Sequence, residues 1–469
     1  VVRENSHWRA TREIENIAIP DTLAGVINAR LDRLDEGSRR VVQTAAVIGR
    51  EFRFDALTSV SEAEQDCEAA LAELERRELV HEKSRIPPRV YMFKHNLTQE
   101  AAYGTLLLSR RRELHRRVAE CLEQTEPDRV NDIARHFLEA REQTRALPYL
   151  VQAGDRAVRA YSTLEAIESY RKALEILDTA VDMPLARRAH EGLGSALTFS
   201  FDIASAVETY HNMLQLAEEH GDIPMQVSAL NKLGFVAALM KGEMPEAQEH
   251  LENADRLAHS CNDLPGLAEL HMTYCYVYVG SGDLDGALGH QKESLQIGQD
   301  LDDDESRLFG MVHIANTMAF LARFDEAWER GAEARKKAEE LGNRKYLSET
   351  LTFPIPLYHL RNGDMGSACE AAEEGMNIGA QIGAAASESG GALLLGQIAW
   401  MKGEYESAIE SHQRALEAGR ASGMPYWQAA PLCALGTTYQ DISMELAGQA
   451  MEFHAQALEL MDMPLGTVM

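Results

Sequence analysis

Across the last two thirds of the chain, apolar and polar positions keep one rhythm. A turn followed by an alanine recurs as GEMPEA (242–247), GDLDGA (282–287), ARFDEA (322–327), GDMGSA (363–368) and GEYESA (403–408). Weaker copies precede Ala166 and Ala206, and a last one sits near Ala450. These anchor alanines, at 166, 206, 247, 287, 327, 368, 408 and 450, are spaced by 40, 41, 40, 40, 41, 40 and 42 residues. Seven positions after each comes another small or slim residue, from Ala173 and Met213 through to Ala415 and Ala457, on the same helix face two turns on. The glycine of each turn suits the left-handed conformation that ends a helix, and the acidic residue caps the next one. The alanine lets the two helices approach closely. A Leu-Gly or Ala-Gly pair, at 153–154, 193–194, 233–234, 395–396 and 435–436, is read as opening the first helix of its unit. The pattern predicts a mostly all-α solenoid of about eight 40-residue helix hairpins over residues 156–469. Pro354 and Pro356 fall inside a first helix and predict a kink or break there.

The rhythm is absent before residue 150. IPDTLAGVINARLDRL reads as a helix opening at Asp21, and EGSRRVVQTAAVIG as a second one ending at Gly49. A short segment follows at 52–60, then a helix at about 62–78, then ELVHEK and VYMFKH, two short strands around a Pro-Pro turn. Three helices and a hairpin predict a small winged-helix domain with a following helix at 21–125. Connecting helices at 126–155 follow, and residues 1–20 are the expected tail of an upstream module.

Charge separates the two regions. Residues 1–150 carry 24 Lys+Arg against 26 Asp+Glu, whereas residues 151–469 carry 22 against 48. The array is expected to repel nucleic acid and anionic membrane, so neither is an expected partner. No apolar run approaches the roughly 20 residues of a membrane span, and the N-terminus has no signal-peptide core. Six scattered cysteines fit a reducing compartment, which predicts a cytoplasmic protein.

Motifs for chemistry are few. No G-x-x-x-x-G-K-[ST] phosphate loop occurs, nor any Gly-Lys pair, so the chain itself is expected to bind no nucleotide and to catalyse nothing. The glycines of 280–286 sit between helices rather than after a strand, and the acidic run 302–305 opens a helix, so neither predicts a cofactor or metal site. Arg110, Arg111, Arg112, Arg116 and Arg117 form the concentrated positive run, expected to serve interdomain or solvated roles rather than DNA. His271, Tyr274 and Tyr278 share one helix face at i, i+3, i+7 and are the candidate concave binding surface, with Tyr276 on another face.

The small-residue and Gly-x-x-x-x-Ala pattern resembles tetratricopeptide (TPR) proteins. Their unit is about 34 residues long, so the longer period here implies longer helices. The 40-residue period resembles the arrays of MalT-like signalling ATPases. The phrases IPDTLAGVINARLDRL, RRVVQTAAVIGREF and FKHNLTQEAAYGTLLLSRRRELHRRVAECLE resemble the segment after the nucleotide-binding core in bacterial STAND-type ATPases. That resemblance implies a sensor and relay region, with a protein or small-molecule signal in the repeat groove. An upstream ATPase domain would be a further partner, and ATP or ADP with Mg would enter only through it. It also implies that His95, following Phe93 and Lys94, meets the phosphate of ADP in that domain. Two alternatives stay open: part of a DNA-binding transcription regulator, or the C-terminal regulatory part of a class III nucleotide cyclase.

Overall fold

The computed structural model describes residues 2–4, 7–9, 21–61, 64–177, 182–423, 425–442 and 447–461. The chain divides into two compact units, Val1–Arg156 with Glu168–Leu185, and Ala157–Ile167 with Ala186–Met469. Of the expected N-terminal tail, only β1 (Val2–Glu4) and β2 (His7–Arg9) are described, paired antiparallel; the rest of 1–20 lies outside the described residues.

The first unit runs α1 (Asp21–Asp32), α2 (Glu36–Ile48), β3 (Glu51–Arg53), α3 (Phe54–Val60), α4 (Glu64–Arg76), β4 (Val80–Ser84), β5 (Val90–Phe93) and α5 (Asn96–Gly104). Asp35 starts α2 by accepting the Ser38 amide at 2.9 Å. The three strands pair antiparallel in the order β3-β5-β4. Alternation puts Phe52, Tyr91 and Phe93 on the buried face, where they meet Leu57, Leu71 and Leu74 from the helices. A second core forms where α6 (Leu108–Thr125) packs on α7 (Val130–Glu139), through Val118, Leu122, Ile133 and Phe137.

Between α6 and α7 lies a buried polar chain. The Tyr103 hydroxyl shares a 2.9 Å hydrogen bond with His115 Nε2, and His115 Nδ1 shares one of 2.8 Å with His136 Nδ1. Arg135 reaches His136 Nε2 at 3.0 Å. Burial, reinforced by Arg135 and Arg111, lowers His115 to about 4. Burial, with Arg135, His115 and Arg129, lowers His136 to about 2.

The boundary between the units passes through α8 (Gln143–Arg159) and α9 (Thr163–Leu177). The second unit continues as first-and-second helix pairs: α10 (Met183–Phe199) with α11 (Ile203–His220), and α12 (Ile223–Phe235, extended by a π-turn at Val236–Lys241) with α13 (Met244–Cys261). Next come α14 (Leu264–Ser281) with α15 (Leu284–Leu301), and α16 (Asp304–Phe320) with α17 (Phe324–Leu341). Then α18 (Arg344–Thr352) and α19 (Pro354–Arg361) precede α20 (Met365–Ile382), and α21 (Ala385–Met401) pairs with α22 (Tyr405–Ser422). The last pair is α23 (Pro425–Ile442) with α24 (Ala447–Met461).

The forty-residue period is the length of two 18-residue helices and two two-residue turns, as in α13, α14 and α15. Each helix is therefore about 27 Å long. Gly242, Gly282, Gly363 and Gly403 all take positive φ, between 70° and 82°, where the expected helix ends fall. Of the capping acids, Asp283 and Asp364 accept amides at 2.9 and 3.0 Å, while Glu243 and Glu404 make no such bond. The longer glutamate side chain does not fold back onto its own helix end as aspartate does. Anchor alanines 166, 206, 247, 287, 327, 368 and 408 are all 0% exposed, so each contacts its partner helix directly.

Three features correct or refine the sequence reading. The Leu-Gly pairs lie within the first helix instead of opening it. Gly194 seats the Tyr210 ring of the paired helix and Gly396 seats the His412 ring, and a methyl at either position would overlap that ring. Second, two of the longer intervals mark added residues. The 41-residue step from Ala206 to Ala247 contains the π-turn, which absorbs one residue. The step from Ala327 to Ala368 contains Phe353, whose φ of −136° and ψ of −75° separate α18 from α19 just before Pro354, at the predicted break. Third, Ile223–Lys241 is long and apolar enough by composition to cross a membrane. It is 61% buried within the fold, because a helix inside a stacked array has neighbours on several sides.

Consecutive first helices touch one another (α12 with α14, α14 with α16, α16 with α18), whereas consecutive second helices meet at most sparsely. Close approach on one side and splay on the other curves the array, with the first helices inside. Phe201, between α10 and α11, packs onto Gly423, between α22 and α23, so this unit curls back on itself and encloses its inner face.

Not every glycine in the array has such a neighbour. Gly289 lies in the interior of α15, is exposed and has open space where a side chain would sit. Gly289→Ala is expected to raise array stability by about 0.5–1 kcal/mol through reduced chain entropy. An unchanged or lower denaturation midpoint would place a contact at that position.

Candidate functional site

The inner face of the second unit collects charged and aromatic side chains from successive first helices. On α10, Glu191 accepts from Arg187 Nε at 2.8 Å and from Ser228 of α12 at 2.6 Å. Lys232 of α12 donates to Glu269 of α14 at 2.6 Å. The Tyr276 hydroxyl of α14 shares a 3.2 Å hydrogen bond with His313 Nε2 of α16, and Glu349 of α18 lies 4.0 Å from that same nitrogen. Each of these cross-helix pairs is 37 residues apart, apart from the last, because neighbouring inner helices meet about one turn short of a full repeat.

These side chains are neither core nor open surface. Lys232 is 20% exposed, His313 15% and Glu349 26%, each reachable by solvent yet walled by helices. The electrostatics follow. Burial opposes the Lys232 charge, but Glu269, Tyr210 and Glu191 outweigh it and hold its ammonium above the ordinary range. Burial lowers His313 to about 3, aided by Lys345, so its imidazole is neutral at pH 7. Burial also raises Glu349, with Lys345 opposing and Glu305 adding to the rise. Burial, with Glu349, Cys275 and Glu305 adding to it, raises the Tyr276 phenol well above its usual range. The face offers hydrogen bonds, charges of both signs and ring surface.

His271, Tyr274 and Tyr278 do share a face, and it is turned toward the second helices. All three gather around His290 of α15: His271 Nδ1 lies 2.8 Å from His290 Nδ1, Tyr274 stacks on the ring at 5.0 Å, and Tyr278 sits at 4.9 Å. There they pack across the α14–α15 hairpin. The inner position on α14 belongs to Tyr276. The other inner residues escaped sequence reasoning because their identities change from repeat to repeat; the recurrent offset of 37 is the signal that pairs them.

His95 is the N-cap residue of α5. Its side chain is exposed, and its carbonyl accepts the Thr98 amide at 3.0 Å. Three arginines of the run are engaged within their own unit. Arg110 pairs with Glu113 at 2.7 Å, Arg116 with Glu120 at 3.4 Å, and Arg111 lies 4.2 Å over the Tyr103 ring. In the acidic run, Asp303 caps α16 through the Ser306 amide at 3.0 Å and Asp304 pairs with Lys337 at 2.9 Å. Among the described residues no group of three or more His, Cys, Asp or Glu has the arrangement of a metal site.

No protein-family model matches the sequence, and no curated protein sequence does either. Among solved structures, the chain is similar to a Signal Transduction ATPase with Numerous Domains (STAND) protein with a tetratricopeptide repeat sensor from Pyrococcus horikoshii. The TM-score is 0.59 at 12% identity, covering 95% of this chain and 67% of that one. It also matches a Rap protein complexed with competence and sporulation factor (TM-score 0.48, 11% identity, 68% and 88% of the two chains). A Rap conjugation gene regulator in complex with the Phr* peptide matches at TM-score 0.47 and 12% identity, over 76% and 91%. The chain therefore has the fold class that its repeats predict, a TPR-like α-solenoid.

Proposed function

We propose that this chain is the regulatory sensor and relay part of a STAND-type ATPase, with the second unit binding a protein or peptide segment along its inner face. The binding half rests on one observation: five successive inner helices direct partly accessible charges and rings at a single enclosed face. The relay half is supported by the sequence phrases of the first 150 residues and by the fold likeness to a STAND protein along 95% of the chain. In this reading residues 21–125 form a winged helix with its following helix, in keeping with the α2-β3-α3-α4-β4-β5 order and the β3-β5-β4 sheet. A segment that favours one state of the array shifts the conformational equilibrium by its differential affinity for the two states, and no further.

Lacking a phosphate loop, the purified chain is expected to bind no ATP, which calorimetry checks; saturable micromolar binding at one site would overturn this. Binding of a segment is tested by selecting decapeptides from a phage-displayed random library on the purified chain. Selected peptides should lose affinity when Lys232→Glu reverses the inner-face charge, and peptides indifferent to that change would remove the groove as their site. In the longer polypeptide that carries the nucleotide-binding core, His95→Ala should weaken ADP retention with little change in melting temperature. Unaltered ADP affinity alongside lowered stability would make His95 a structural cap instead.

A further inference from the structure

At its middle, the inner face forms a cradle of rings beside a carboxylate that is held by no hydrogen bond among the described residues. Three rings meet Tyr276 at near right angles: Phe235 at 5.8 Å and 78°, Phe309 at 5.7 Å and 73°, and His313 at 5.2 Å and 79°. Perpendicular rings make walls and corners rather than a stack, and Phe309, only 3% exposed and 4.2 Å from His313, closes the floor. Glu349 stands beside this corner. Among the described residues its carboxylate has no hydrogen bond; its nearest basic group is His313 at 4.0 Å, and that imidazole is neutral at pH 7. Lys345, one turn earlier, is exposed and lies 4.6 Å over the ring of Tyr346, while Glu305 accepts from the Tyr346 hydroxyl at 2.8 Å and adds a second negative charge nearby.

Ring faces carry negative potential and attract a cation, most strongly where water is thinned. A carboxylate in the same enclosure, offset by Lys345 only from beyond ion-pair distance, is further stabilised by a cation in direct contact. The surrounding region, 151–469, holds 22 basic against 48 acidic residues, so its field draws positive groups inward.

We propose that Phe235, Tyr276, Phe309, His313 and Glu349 form a subsite for one basic side chain, lysine or arginine, of the segment held on the inner face. This deepens the reading of the array as a binding unit and rests on it. The cation lies against the Tyr276 and Phe235 rings and pairs with Glu349, which fixes the register of the bound segment. Lys232, one turn before Phe235 on α12, and Arg187, on α10, hold carboxylates of their own and leave the stretch toward α10 for uncharged or acidic positions.

The test uses the selected decapeptides and the purified chain. A lysine or arginine should recur at one position of the peptides. Replacing it with norleucine, or making Glu349→Gln in the protein, should each weaken binding by about tenfold or more, and the two changes together should cost little beyond either one. Phe235→Leu provides a second probe that leaves every charge in place and should weaken the basic peptides but not their norleucine versions; helicity and melting confirm that both variants fold. Peptides that require the inner face by the Lys232→Glu criterion, yet carry no recurrent cation or ignore Glu349→Gln, overturn the subsite and leave the groove reading standing. Failure to select any peptide that depends on the inner face overturns both.

Discussion

Lowering the pH from 7 to 5 should destabilise the first unit by about 4 kcal/mol. His115 and His136 account for this. In the unfolded chain both imidazoles take up protons as the pH falls below about 6.5. Folded, burial and the neighbouring arginines resist protonation until about 4 at His115 and about 2 at His136. Protons therefore bind the unfolded state preferentially from about 6.5 down to about 4 for His115 and about 2 for His136, each histidine costing about 2 kcal/mol of stability at pH 5. Well above 6.5 this penalty is absent, because both states are neutral. The sign is the same for His412 and His313 in the second unit, lowered to about 4 and about 3, chiefly by burial. Hydrogen exchange localised to α6 and α7 reads the effect, after correction for intrinsic rates. A double variant, His115→Gln with His136→Gln, should begin less stable at pH 7 and lose less on acidification. Equal losses in parent and variant would remove the histidine pair from the explanation.

Gly419→Ala is expected to cost the array about 3 kcal/mol, with the damage concentrated on α22 and α23. Gly194 and Gly396 face rings of side chains, and none of the other tight glycines meets backbone as closely as Gly419 does. At Gly419 the added methyl would overlap the backbone carbonyl of Trp427, so the whole of α23 would have to shift. The same helix end holds Ser389 Oγ, which donates to the Ala415 carbonyl at 2.8 Å and to that of Trp427 at 3.3 Å, so a shift also disturbs a buried hydrogen bond. Chemical denaturation against Gly289→Ala as an internal control measures the difference. A variant of parental stability would show that α23 can slide, and that the repeats are less tightly stacked than the glycine contacts require.

What the sequence disclosed follows from how a solenoid is built. Ala247, Ala287 and Ala327 touch the same element in every repeat, so one packing constraint recurs and leaves one residue type at one spacing. The glycines at the turns and the break before Pro354 were legible for a similar reason, because backbone conformation restricts identity whatever the neighbours are. The inner face obeys no such rule. Lys232, Tyr276 and His313 occupy comparable places on successive helices, yet nothing in packing obliges them to be alike, since their partners lie across helices or in solvent. The aromatic spacing of His271, Tyr274 and Tyr278 marked a real face, but a helix with neighbours on several sides has more than one. Only the pairing with His290, whose neighbours could not be assigned from α14 alone, distinguishes the hairpin seam from the groove.

The central claim is that the inner face is where this protein meets its signal. Hydrogen exchange of the chain with and without a saturating selected decapeptide tests it directly. The account predicts added protection in α12, α14, α16 and α18, around Lys232, Tyr276, His313 and Glu349, with the outward sides of α13, α15 and α17 unchanged. Protection confined to those second helices, or to the α14–α15 seam at His271, Tyr274 and Tyr278, would contradict it.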